Sequence, residues 1–157
     1  MMFRSHVALG VLISLMFVQF ISVPYSYLFV PLVGVLSGLP DIDTEKSKFG
    51  RKIWPLSLVL RMVFGHRGIF HSLFAALGFF GVFWYFKLNF LALVVLIAYL
   101  AHLIGDALTR EGVAFLYPFS KRRIAGFMKC GGMIESFVFV FIVVIDVLFS
   151  LNWIHII

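Results

Sequence analysis

The sequence predicts an all-α fold, a polytopic membrane helix bundle of about five transmembrane spans with interfacial helical loops. Three observations carry that reading. The 157 residues are 62% apolar, with twenty phenylalanines and a mean hydropathy of +1.08. Only 13% are charged, against about 25% in an ordinary soluble domain. The apolar residues also fall into runs close to the roughly 20 residues that cross a bilayer. The length suits a single domain, residues 1–157.

Each element follows from its own stretch of sequence. His6 to Val23 is the first apolar run. Arg4 precedes it as in a secretory signal, but no small-x-small cleavage pattern follows, so it reads as a retained helix. Pro24 closes that run, and Tyr25 to Leu39 gives a short second helix with Pro31 near its start. Gly34 and Gly38 lie four apart on one face of it, which permits close helix contact. Pro40 ends the apolar run where the charges begin. Within the polar segment Asp41 to Gly68, the stretch Trp54 to Phe64 is apolar enough to lie in the membrane interface. Ile69 to Phe86 is the third span, Lys87 and Asn89 mark a tight turn, and Phe90 to Leu108 is the fourth. Thr109 to Gly132 is a second polar loop with an apolar insert, Val113 to Phe119. Ile134 to Ile157 is the fifth span.

The net charge of +6 raises the question of nucleic acid, but its distribution answers for a membrane. Twelve of the thirteen Lys and Arg fall in three segments: Arg4, Lys46 to Arg67, and Arg110 to Lys129. Only Lys87 lies elsewhere. Five spans with the N-terminus cytoplasmic and the C-terminus outside put all twelve on the inner face, as the positive-inside rule requires. The same loops attract anionic headgroups. No nucleic-acid partner is expected. The single Cys130 excludes an internal disulfide and a thiolate-rich zinc site. Its basic neighbours favour the thiolate, yet beside two glycines it reads as a passive cysteine.

Chemistry-bearing residues gather at the inner helix ends. In His102-Leu-Ile-Gly-Asp106 the two side chains differ by only about 40° around a helix, so they share a face. An imidazole and a carboxylate so placed can hold a metal, or bond each other. Asp41 and Asp43 follow directly on Pro40, where one can bind metal while the other orients a histidine. His66 and His71 are separated by about 140° on a regular helix, so Gly68 is expected to break the chain between them. Arg67 carries the planar fork that matches a phosphate, and Ser72 can cap the helix. His6 opens the first helix and Glu135 the fifth. Asp146 lies eleven residues beyond Glu135, about 20° away in direction and roughly 16 Å deeper. Neutral imidazoles and carboxylates are the ligands of a hard or borderline divalent ion. Several helix ends delivering them to one membrane face point to a metal site.

The blocks Leu39-Pro40-Asp41-Ile42-Asp43, Gly65-His66-Arg67-Gly68-Ile69-Phe70-His71-Ser72 and Ala101-His102-Leu103-Ile104-Gly105-Asp106, with Thr109 and Gly112, resemble the YdjM-like family. The order of the blocks matches from Ser5-His6 to about Glu135. That family is described as inner-membrane, metal-dependent hydrolases, distantly similar to the zinc phospholipase C and single-strand nuclease fold. The resemblance implies His6, Asp41, His66, His71, His102, Asp106 and Glu135 as metal ligands. Phe70 departs from the threonine common in the family. Gly131 stands where the soluble enzymes have the histidine of a second HxxxE.

The expected function is a phosphoester hydrolase of the cell (inner) membrane. Its substrate would be an anionic lipid or lipid-linked phosphate taken at the cytoplasmic face. One to three divalent ions, zinc before manganese, would activate water. Asp41 or Asp43 would act as base or bridge, and Arg67 would stabilise phosphoryl charge. The rival expectations are an ion transporter with Asp146 on its path and a structural membrane protein with satisfied His–Asp pairs.

Overall fold

The computed structural model describes residues 1–38, 40–41 and 69–156, with side chains described up to residue 153. Among these, five α-helices form the protein: α1 (Phe3–Phe20), α2 (Ser26–Leu36), α3 (Leu73–Tyr85), α4 (Asn89–Ala107) and α5 (Met133–Ile156). A 3-10 turn, Ile69–His71, leads into α3. The chain is therefore an all-α membrane helix bundle. Three of its helices are long and apolar enough to cross a membrane: Phe3–Phe20, Asn89–Ala107 and Met133–Trp153. The other two are apolar but shorter, 11 and 13 residues, or roughly 16 and 20 Å of helix.

Both short helices begin later than the apolar runs that encode them, for local reasons. Tyr25 adopts a left-handed backbone (φ 53), so α2 starts only at Ser26. Ser72 caps α3, its hydroxyl accepting from the Ala75 N–H, which leaves Ile69–His71 outside the helix. The turn after α3 is tight, as Lys87 and Asn89 foretell. Lys87 has φ 59 and its N–H bonds Trp84 O, while Leu88 N–H bonds Phe83 O. That pair closes the helix in the motif usually reserved for glycine.

Helices α1 and α4 lie at the centre. α1 packs against α2, α4 and α5; α4 packs against α1, α2 and α3. Phe29 and Val33 of α2 interlock with Val94, Ile97 and Ala98 of α4. Ala76 of α3 packs with Val95 and Tyr99 of α4, and Ala8 and Leu9 of α1 with Ile142 of α5. The α1–α2 contact depends on Gly34, where a Cβ would come within 2.7 Å of Val11 Cγ2. Between α4 and α5 the loop is pinned by bridges pairing Thr109 with Met128 and Val113 with Ile124. Its apolar insert dives inward at Val113 and Ala114, both buried, and Phe115 O accepts from Leu73 N–H at the head of α3. Successive helices thus alternate in direction. The start of α1, the end of α2, the start of α3, the end of α4 and the start of α5 meet at one end of the bundle.

Candidate metal centre

That shared end holds the histidines and aspartates. His6 lies in the first turns of α1. His102 and Asp106 sit one turn apart near the end of α4, on the face turned toward α1. His71 closes the 3-10 turn that Ser72 terminates, and Asp41 follows α2 directly after Pro40. The side chains of His6, His71 and His102 are fully buried and that of Asp106 nearly so.

Two groups of ligand atoms lie within 4.8 Å of one another: His6, Asp41 and His102, and His71, His102 and Asp106. His6 Nε2 is 3.4 Å from Asp106 Oδ1, and His71 Nε2 is 3.4 Å from Asp41 Oδ1. His102 Nε2 is 3.7 Å from Asp106 Oδ2 and 3.9 Å from Asp41 Oδ1. His71 Nε2 is 3.9 Å from Asp106 Oδ2. The rings of His6 and His102 stack with centroids 4.0 Å apart, and His71 meets His102 edge-on at 5.1 Å. The amino group of Met1 also reaches Asp106 Oδ1.

The tautomer of His102 follows from its surroundings. Its Nδ1 is 2.7 Å from the carbonyl oxygen of Ser37, which can only accept, so Nδ1 carries the hydrogen. Nε2 then presents its lone pair to the carboxylates, the arrangement by which an outer partner orients a metal-binding histidine. Ser37 in turn is fixed by its hydroxyl, 2.7 Å from His6 O and 2.6 Å from Gly34 O. Gly105 lets His6 approach: a Cβ there would lie 3.0 Å from His6 Nδ1. Neither Ser37 nor Gly105 stood out in the sequence as part of the site. Gly105 had at least a signal, falling inside the HxxxD spacing.

The donor set fits a divalent ion. His102 Nε2 and His6 Nδ1 are buried without a hydrogen-bond partner among the described residues. A four-coordinate ion with bonds of about 2.0–2.1 Å separates its ligand atoms by about 3.4 Å, close to the 3.4–3.9 Å found here. Three imidazoles and two carboxylates, with no thiolate, suit zinc or manganese. The two groups share His102, and one imidazole nitrogen has one lone pair. They are therefore one centre with a common ligand rather than two complete sites. Burial pushes the Asp41 carboxyl up, but the His71 hydrogen bond and the charges of His102, His6 and His71 outweigh it, bringing it down from 3.8 to about 2. Asp41 is thus held as the anion that a cation needs.

Other residues singled out from the sequence lie elsewhere. Both Glu135 oxygens accept backbone N–H groups, from Met2 and Gly131, each at 2.6 Å. It ties the start of α5 to the start of α1 and belongs to neither ligand group. Asp146 is in mid-α5, beside α1. Cys130 is exposed as a residue, and partial burial of its thiol, with the charges of Glu135 and Glu111, pushes its pKa up despite the N-terminal amino group nearby. Asp43, His66 and Arg67, with the interfacial stretch Trp54 to Phe64, lie outside the described residues.

Comparison with known proteins is consistent with this arrangement. Residues 1–156 match the family described as YdjM inner membrane protein. The uncharacterized protein YvsG of Bacillus subtilis (strain 168) is 38% identical over 121 residues, 73% of this chain and 76% of the relative. The inner membrane proteins YdjM of Escherichia coli (strain K12) and Shigella flexneri are each 38% identical over 87 residues. Those alignments cover 51% of this chain and 44% of either relative, so the chain spans less than half their length. No solved structure matches.

Proposed function

This chain belongs to the YdjM inner membrane protein family, and we propose that it is a metal-dependent hydrolase of phosphoester bonds, working as a single membrane-embedded domain. One observation carries the reading. Three buried imidazoles and two carboxylates from four separated segments converge with the His102 lone pair unpartnered. A merely structural role would pair those nitrogens.

In this reading His6, Asp41, His71, His102 and Asp106 hold zinc or, failing that, manganese, as one ion or a close pair. Such an ion, held by these residues, would supply a water of lowered pKa and polarise a phosphoryl oxygen. The chain's own residues do the rest. The Ser37 carbonyl keeps His102 in the metal-binding tautomer. Asp41, or Asp43 beside it in sequence, takes the proton of the attacking water. Arg67 and His66 enter on sequence grounds alone, Arg67 to stabilise phosphoryl charge and His66 as a further ligand. Glu135 acts as an anchor of helix ends.

A substrate from the inner leaflet, an anionic phospholipid or lipid-linked phosphate, is supported by the position of the centre at helix ends and by the basic Arg110–Lys129 loop at that end. We propose five crossings with the N-terminus cytoplasmic and the C-terminus outside. The exposed Tyr25, Tyr27, Trp84 and Tyr85 at the far ends of α2 and α3 support this reading. Such rings mark a membrane–water interface.

Elemental analysis of detergent-purified protein, beside His102→Ala/Asp106→Ala, tests the proposal. Stoichiometric zinc or manganese, lost in the double variant and accompanied by metal-dependent release of phosphate or headgroup from phosphatidylglycerol vesicles, is the expected result. Wild-type protein that carries no metal and takes none up on reconstitution would end it.

A further inference from the structure

α5 leaves an unexplained polar group in the membrane. It packs chiefly against α1, and the two helices enclose a groove of about 400 Å³ lined by Val7, Ala8, Val11, Phe139, Val143 and Asp146. Arg4 closes the upper end, its guanidinium 3.3 Å from Ser136 Oγ and 5.1 Å above the Phe139 ring. Asp146 forms the deep end. Its residue is only 8% exposed, and Oδ1 has no hydrogen-bond partner among the described residues. Eleven residues of helix put it about 16 Å below Glu135, near the middle of a hydrocarbon layer about 30 Å thick.

An unsatisfied carboxyl at that depth carries a penalty that an acyl chain cannot relieve, because lipid tails offer neither donor nor acceptor. We infer that the α1–α5 groove is the interface at which a second copy of this chain docks, with the two Asp146 carboxyls bonded to each other. Copies inserted in the same orientation are related by a two-fold axis along the membrane normal, so each residue meets its counterpart at equal depth. Among the described residues near this depth the other polar side chains are Ser14 and Tyr99, both buried inside the bundle, and Ser150, half-buried one turn further along α5. At this depth a second copy therefore has its own Asp146 to offer. Oδ1 is buried against α1 in the single copy, so pairing requires the Asp146 side chain to turn outward; a carboxylic acid both donates and accepts, and the symmetric pair then satisfies both copies. Val143, about one turn before Asp146 and roughly 60° around the helix from it, is exposed at the groove's rim, and Val147, the residue after Asp146, is exposed beside it. The centre at the inner face is left intact in each copy, and the inference is independent of the hydrolase reading.

The test uses the full chain in vesicles of phosphatidylethanolamine and phosphatidylglycerol, with Cys130→Ser as background. Val143→Cys is expected to form an intermolecular disulfide on mild oxidation. Leu148→Cys, about 200° around the helix from Asp146, is expected not to. In a dimerisation assay by energy transfer, Asp146→Leu should weaken association roughly three- to thirty-fold, the range of one membrane interhelical hydrogen bond. Asp146→Asn, which can still donate and accept, should stay near wild type. The inference is overturned if Val143→Cys cross-links no better than Leu148→Cys. Asp146→Leu associating as tightly as wild type overturns it too, as does a monomeric chain that retains one phospholipid until Val143→Phe expels it. Should Asp146→Leu aggregate, the cysteine pair decides.

Discussion

Replacing Gly105 with alanine perturbs the proposed centre without removing a ligand. The new Cβ would lie 3.0 Å from His6 Nδ1, 3.1 Å from Cε1 and 3.0 Å from Met1 Sδ. The thioether is the end of a flexible side chain and can move aside. The imidazole has less freedom, because it stacks on His102 at 4.0 Å with the rings 15° from parallel. Ordinary contact begins near 3.4 Å, so the ring must retreat by about 0.4 Å, twice the tolerance of about 0.2 Å on a metal–ligand bond. Displacements of this kind weaken binding about 10- to 100-fold, or about 1.4–2.8 kcal/mol. Competition with a chelator of known affinity, in detergent, measures it. Gly78→Ala is the control, since a Cβ there meets nothing within 4 Å. Wild-type affinity in Gly105→Ala, alongside loss of metal in His6→Ala, would refute the claim that this glycine sets the approach of His6.

Three other outcomes are expected. Ser37→Ala removes a hydroxyl bonded to His6 O or Gly34 O and should lower stability by about 0.5–1.5 kcal/mol in thermal unfolding. It should leave the metal content unchanged, because the Ser37 carbonyl is what holds His102; loss of metal would contradict this. In chelator-stripped protein, Asp41→Asn should destabilise by about 2 kcal/mol at pH 5. The folded pKa of Asp41 is depressed to about 2 from 3.8, so its contribution is present above 3.8 and disappears as pH falls through 2. A wild-type-to-variant difference that grows on acidification would show the opposite sign. Cys130, with its thiol pKa raised by burial, should be alkylated by a maleimide at neutral pH more slowly than a free thiol. Faster alkylation would mean that the basic loop governs it.

Depth was legible in the sequence, and facing was only partly so. Counting residues from the ends of apolar runs placed His6, Asp41, His71, His102 and Asp106 at one end of the bundle. The four-residue spacing put His102 and Asp106 on one face, and they do share the centre. Glu135 shows the limit of such counting. It lies at the same end, but the backbone donors of Met2 and Gly131 claim its oxygens, and backbone donors leave no trace in side-chain spacing. Ser37 was invisible for a related reason, since it acts on His102 through its carbonyl, which every residue has. Hydropathy also missed the starts of α2 and α3, because the left-handed Tyr25 and the cap at Ser72 are local backbone events.

The strongest reason to expect a cation is the chemistry of the donor set. Asp41 is held as the anion, a charge that is costly to bury unless it is paired, and buried imidazole nitrogens without hydrogen-bond partners forfeit the bonds they made with water. The bundle nevertheless spends five polar side chains on this point, where Leu or Phe would pack without penalty. A divalent ion would answer both together: it would offset the charges of Asp41 and Asp106 and take up the lone pair of His102. Binding should therefore stabilise the joined ends of all four ligand-bearing segments at once. Removing the ion should loosen the start of α1 and the Ile69–His71 turn before the α2–α4 contact, whose apolar cluster of Phe29, Val33, Val94 and Ile97 contains no ligand. Hydrogen exchange with and without chelator would reveal that order. Uniform loosening of the bundle would show instead that the five residues are ordinary parts of its packing.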